Sequence, residues 1–134
     1  DMKKIDHVGI AVNDLDYSEN IFTKLLGVKS YKREIIEDQK VITSFFKVNN
    51  EKIELLASSE NESPINKFLK KNGEGIHHIA FEVENIDSEI LRLKNEGFKL
   101  ISDILTIGAD NKKIVFLHPK GTNGVLIELC QEIS

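Results

Sequence analysis

Several residue types are scarce in this chain at once. Of its 134 residues one is cysteine, two are proline and none is tryptophan. A single thiol, Cys130, excludes an intramolecular disulfide, so the core must hold the fold, and a reducing cytoplasm is the expected compartment. No apolar run approaches 18 residues, so no helical membrane span is expected. Neither sign of charge dominates, because 18 Lys and Arg against 22 Asp and Glu leave a net −4. The basic residues are scattered, whereas nucleic-acid binding needs a basic stripe. The opening Asp1-Met2-Lys3-Lys4 runs straight into an alternating apolar segment, with no signal peptide expected.

What the chain does have is a repetition. Residues 5–16 read Ile-Asp-His-Val-Gly-Ile-Ala-Val-Asn-Asp-Leu-Asp, and residues 76–87 read Ile-His-His-Ile-Ala-Phe-Glu-Val-Glu-Asn-Ile-Asp. At an offset of 71, His7 falls on His78, Val12 on Val83 and Asp16 on Asp87. Each copy closes alike, with Ile53-Glu54-Leu55 and Ile127-Glu128-Leu129. The length suits one domain, residues 1–134, made of two half-size modules.

Alternation of Ile, Val and Phe predicts strands over 4–12 and 76–83, each followed by a helix. In the first helix Leu15, Ile21, Phe22, Leu25 and Leu26 form the apolar stripe, with Asp14 as N-cap and Gly27 past the end. In the second, Ile86, Ile90 and Leu93 form it, between Asn85 and Gly97. Three strands follow in each module, over 29–36, 41–48 and 51–57, then 98–104, 112–118 and 124–131. Asn49-Asn50 and the segment 119–124 suit hairpin turns. Between the modules, Ser63 and Pro64 open a connector helix that Gly73 stops. The organisation is therefore a βαβββ module over about 4–57, a connector over about 58–74 and a second βαβββ module over about 75–132.

Strand alternation puts Val8, Ile10 and Val12 on one face and His7, Gly9 and Ala11 on the other. It likewise separates Ile79, Phe81 and Val83 from His78, Ala80 and Glu82. Glu54 and Glu128 each lie opposite their Ile and Leu neighbours, and a buried carboxylate there needs a partner. A lone strand His is more often a hydrogen-bonding residue than a ligand. Matching His and Glu in both copies instead point to a metal site of His7, Glu54, His78 and Glu128, suited to Co²⁺, Zn²⁺, Mn²⁺ or Ni²⁺. Such an ion polarises a carbonyl and stabilises an enolate when the neighbouring carbon loses its proton. His77 falls on the apolar face with its counterpart Asp6, so it reads as structural, and His118 as a turn residue or pocket wall.

The paired βαβββ pattern with a His opening and a Glu closing each half resembles the vicinal oxygen chelate superfamily. The match is tightest to its methylmalonyl-CoA epimerase family. It is carried by Asp6-His7-Val8-Gly9-Ile10-Ala11-Val12, Glu62-Ser63-Pro64-Ile65, Gly75-Ile76-His77-His78-Ile79-Ala80, Ile107-Gly108-Ala109, His118-Pro119-Lys120 and Gly124-Val125-Leu126-Ile127-Glu128-Leu129. The resemblance implies an α+β fold, two tandem modules forming a half-open mixed β-sheet barrel with helices outside. It also implies interconversion of (2R)- and (2S)-methylmalonyl-CoA, a homodimer, and Co²⁺ held by His7, Glu54, His78 and Glu128.

Epimerisation removes the C2 proton and returns one to the opposite face, and a base on each face is the simplest route. Glu128 is the first candidate, with Glu54 the other. Some family members carry a further Glu on the strand corresponding to 41–46, where this chain has Thr43 and Ser44 and no carboxylate. Lys112, Lys113 and Lys120 are candidates for the phosphates of the acyl-CoA substrate, or else plain surface lysines. Cys130 shares the strand face of Glu128 and reads as packing. The rivals are a glyoxalase I-type lactoylglutathione lyase with the same ligands, and a non-catalytic antibiotic-binding protein of the same fold.

Overall fold

A computed structural model describes residues 2–102 and 105–133. Among them lie eight strands: β1 Met2–Ala11, β2 Lys32–Ile36, β3 Val41–Val48, β4 Glu51–Ser58, β5 Gly75–Val83, β6 Thr106–Ile107, β7 Lys112–Leu117 and β8 Ile127–Glu132. Three α-helices join them, α1 Leu15–Leu26, α2 Pro64–Asn72 and α3 Ile86–Asn95. None is long and apolar enough to cross a membrane. The chain divides into two compact units, one running from His7 to His77 and the other combining the residues up to Asp6 with those from His78 onward.

The helix ends follow local chemistry. Asp14 accepts from the Tyr17 amide at 3.0 Å, Ser63 from Asn66 at 3.1 Å and Asn85 from Ser88 at 3.0 Å. Each such cap stabilises its helix by about 1 kcal/mol. Gly27 ends α1 at φ 74°, a left-handed conformation that costs glycine little.

In the His7–His77 unit the strand order is β2-β3-β4-β1. β1 runs parallel to β4, with Gly9 opposite Glu54 and Ala11 opposite Leu56. β3 is antiparallel to both β4 and β2. One face packs under α1, where Val12, Leu15, Phe46, Leu55 and Ala57 form a core with Ile10, Phe22 and Leu26. Ile21 and Leu25, expected on that stripe, are exposed. At about 100° per residue they sit roughly 80–120° round the helix from the line through Leu15, Phe22 and Leu26, too far to reach the sheet. On the same sheet face Glu19 of α1 accepts from Arg33 Nε at 2.7 Å and from Ser44 Oγ at 2.5 Å, while Arg33 also binds Asp16. The Arg33 hydrogen bond holds the Glu19 carboxyl below its ordinary value of 4.5.

The other unit carries the order β1-β5-β8-β7-β6, with β1 entering by its N-terminal residues. β5 is parallel to β8, and β8 antiparallel to β7. Its helix-side core is Val83, Ile86, Leu93, Val115, Leu117 and Leu129. Over its described residues, 98–102, the strand expected at 98–104 does not form. Leu100 makes one bridge to Leu117, while Phe98 and Leu100 pack against the core, and residues 103–104 lie outside the described residues. The alternation there buries side chains without a strand ladder. The closing segment makes a short 3-10 turn, Pro119–Thr122, before left-handed Asn123.

Candidate metal centre

Each unit contains one of the expected His–Glu pairs. In the first, His7 Nδ1 stands 3.1 Å from Glu54 Oε2, and both side chains are almost fully buried. Directly opposed residues of neighbouring strands share a face. Glu54 is therefore flanked by Gly9 on β1 and Phe45 on β3, with His7 on that same face two residues before Gly9. In the second unit His78 Nε2 stands 3.2 Å from Glu128 Oε1, again buried. Glu128 is flanked by Ala80 on β5 and Phe116 on β7.

The correspondence extends beyond the four residues. Phe45 and Phe116 keep the offset of 71 that relates His7 to His78 and Gly9 to Ala80. Phe116 stands edge-on to His78, centroids 5.8 Å apart. Sequence reasoning overlooked this aromatic pair, although the offset was there to find it. A small residue and a large ring thus flank each Glu, giving the carboxylate room on one side and a wall on the other.

A carboxylate buried at these positions needs a partner, and in each unit the imidazole supplies it. Each pair presents one nitrogen and one oxygen donor. That donor chemistry fits a borderline divalent ion and gives soft metals no thiolate. Cys130 does not alter this, because it is buried with Ala80, Ile114 and Phe116 as a packing residue.

The remaining sequence candidates have other duties. His77 packs edge-on against Phe68 at 4.9 Å, the structural role its strand face implied. His118 Nδ1 accepts from the Lys120 amide at 3.2 Å and so caps the closing turn. Lys112 is neither a surface lysine nor a free phosphate ligand. It is buried with its Nζ 2.8 Å from Asp6 Oδ1 and 4.0 Å from Glu82. Lys120 is exposed and Lys113 half-buried. Gly108, in the Ile107-Gly108-Ala109 segment, lies against Ile114, and a Cβ there would meet Ile114 Cδ1 at 2.6 Å.

Residues 6–116 match the Glyoxalase/Bleomycin resistance protein/Dioxygenase superfamily, and the chain belongs to it. The α+β architecture of two βαβββ modules is the fold of this family. Within it, the chain is similar over nearly its whole length to epimerases of acyl-CoA thioesters. The ethylmalonyl-CoA/methylmalonyl-CoA epimerase of Cereibacter sphaeroides is 42% identical over 96% of this chain and 97% of its own. The crystal structure of methylmalonyl-CoA epimerase from Mycobacterium tuberculosis is 36% identical, covers 99% of this chain and 90% of that one, and superposes with a TM-score of 0.94. A methylmalonyl-CoA epimerase solved with methylmalonyl-CoA and NH4+ is 33% identical, covers 100% and 97%, and has a TM-score of 0.95.

Proposed function

We propose that this protein is an isomerase, an epimerase that interconverts (2R)- and (2S)-methylmalonyl-CoA at C2. The observation that carries the reading is a buried His–Glu contact in each repeated unit of a chain similar, nearly end to end, to methylmalonyl-CoA epimerases. His7, Glu54, His78 and Glu128 hold one divalent ion, for which Co²⁺ is the first choice. When bound, the ion withdraws electron density from the substrate's thioester carbonyl and so acidifies C2–H. The chain's own residues do the rest. Burial of both pairs keeps bulk water from the imidazoles and carboxylates, which strengthens their electrostatic hold on a cation. Gly9 and Ala80 leave space beside each Glu, and Phe45 and Phe116 restrict it. Glu128 carries the C2 proton on one face of the substrate.

The exposed Ile35 and Ile107 on edge strands β2 and β6 support a homodimer, since uncovered edges invite pairing. The lone buried Cys130 is in keeping with a reducing cytoplasm. The test is incubation of the chelator-treated protein with methylmalonyl-CoA in deuterated water, with and without Co²⁺, beside a glutathione hemithioacetal assay. Co²⁺-dependent deuterium uptake at C2 is expected. No uptake at C2, together with turnover of the hemithioacetal, would replace this reading with a lactoylglutathione lyase.

A further inference from the structure

An acyl-CoA carries its phosphates at a distance from the thioester, and phosphates are held by cations. Of the lysines that the sequence suggests for this, Lys112 is taken by Asp6. Lys113 belongs to the other side of the sheet, because the Glu128 face of β7 carries Lys112, Ile114 and Phe116. The register of the His7–His77 unit supplies a different set. Glu54 is opposite Gly9 on β1 and Phe45 on β3, and Phe45 is opposite Lys32 on β2. Two residues before Glu54, Lys52 is opposite His7 on one side and Lys47 on the other. Cross-strand partners share a face, and so do residues two apart on a strand. Lys32, Lys47 and Lys52 therefore stand on the His7–Glu54 face, one from each of three neighbouring strands.

Strand pairing thus gathers cations that are scattered along the sequence. Lys47 and Lys52 are directly opposed, so their Cβ atoms lie about 5 Å apart, and opposed like charges destabilise a sheet. The face also carries Glu54, held by His7 at 3.1 Å, and Glu34, opposite Thr43 and 3.8 Å from Lys32. Lys47 is exposed, Lys52 half-buried and the Lys32 side chain 38% exposed, so the ammonium groups reach solvent from stems laid along the sheet. Lys32 Nζ sits over the Phe45 ring, 4.7 Å from its centroid, which directs it toward the Glu54 side of β3. Strand spacing puts the backbones of Lys47 and Lys32 roughly 8 and 10 Å from that of Glu54, a gap that a pantetheine arm bridges.

The other unit does not repeat this feature. Two residues beyond Phe116 and two before Glu128 stand His118 and Leu126, where the first unit has Lys47 and Lys52. The His–Glu pair is duplicated and the opposed lysines are not. A group needed once per chain, at one end of an unsymmetrical ligand, accounts for that difference.

We propose that Lys32, Lys47 and Lys52 form the site for the phosphate groups of the acyl-CoA substrate; this rests on the epimerase reading above. Bound phosphate neutralises the opposed Lys47 and Lys52 ammonium groups, and the pantetheine arm runs from there along the face toward the His7–Glu54 pair.

The test measures binding of free coenzyme A by calorimetry to wild type, Lys32→Gln, Lys47→Gln and Lys52→Gln, at low and high salt. The Lys70→Gln/Lys71→Gln double variant, on the exposed end of α2, controls for overall charge. Coenzyme A should bind wild type with an affinity that falls as salt rises. Lys47→Gln and Lys52→Gln should each weaken it at least about 10-fold, the usual worth of one charge-assisted contact, and Lys32→Gln should weaken it in the same direction. The control should stay within about three-fold of wild type, as exposed charges contribute little. Melting temperature should not fall in Lys47→Gln, which removes one of two opposed like charges. In turnover, the kcat/KM ratio of methylmalonyl-CoA over methylmalonyl-pantetheine, which has no phosphates, should fall by the same factor as the affinity. Failure of wild type to bind coenzyme A overturns the proposal, and so does a control that weakens binding as much as Lys47→Gln. A loss shared equally by both thioesters also overturns it, placing the lysines at the acyl end. Coenzyme A binding with the expected lysine dependence, but no C2 exchange of methylmalonyl-CoA, would remove the epimerase reading and leave the phosphate site standing.

Discussion

Lys112 Nζ lies 2.8 Å from Asp6 Oδ1 with both side chains buried, an ion pair between residues 106 positions apart. Asp6 immediately precedes His7, so the pair fixes the strand that carries the His7 imidazole. Removing one partner of a buried pair strands a charge in low dielectric, which costs more than the pair itself contributes. Lys112→Met should therefore lose about 3–5 kcal/mol of stability in urea denaturation. The double variant Asp6→Leu/Lys112→Met should regain most of it, because apolar replacement of both partners is often neutral. A single variant as stable as wild type would mean that Asp6 is solvated.

Gly108 explains why the Ile107-Gly108-Ala109 segment needs glycine in the middle. Its φ is ordinary, so the reason is space, with Ile114 Cδ1, Cγ2 and Cγ1 at 2.6, 3.1 and 3.2 Å from where a Cβ would stand. Overpacking of this kind costs about 1–3 kcal/mol. Gly108→Ala should lower the denaturation midpoint by that amount, and Ile114→Val in the same background should relieve it. Additive losses in the double variant would show that the two residues do not meet.

The Glu19–Arg33 pair sets a pH dependence with a defined sign. Its folded-state pKa is lowered, chiefly by the Arg33 hydrogen bond, from an ordinary value of 4.5. The pair's stabilisation is therefore fully present above about pH 5 and is lost as pH falls below 4.5 through the folded value. Arg33 is 41% exposed, so screening limits the effect to about 1 kcal/mol or less. Arg33→Met should be destabilised against wild type at pH 7 and nearly equal to it in acid. A difference that is constant from pH 7 to acid would assign the loss to packing of the Arg33 stem.

Local features were the legible ones. Asp14, Ser63 and Asn85 cap the three helices as their positions predicted, because a cap is decided within four residues. The strand expected over 98–104 was illegible for the opposite reason. Its alternation half-buries Phe98 and Leu100, but a strand also needs a continuous run of hydrogen bonds to a neighbour, and the described residues make only the bridge around Leu100, with the Ile101 N–H donating to Phe116 and the His118 N–H to Lys99. Ile21 and Leu25 show the same limit on a helix. They are apolar enough for a core, yet only the docking of α1 selects which side of the stripe meets the sheet.

By itself the sequence determined the duplication and the faces. Side-chain direction alternates along any strand, so His7 with Gly9, and His78 with Ala80, were separated from their apolar neighbours before any fold was known. Choosing His78 over His77 needed nothing more. Tertiary structure alone decided register, since it depends on hydrogen bonds between segments that the chain does not hold together. Register sets Gly9 and Phe45 about Glu54, Ala80 and Phe116 about Glu128, and Glu34 on the face of His7. It is also what turned Lys112 from a candidate phosphate ligand into the buried partner of Asp6.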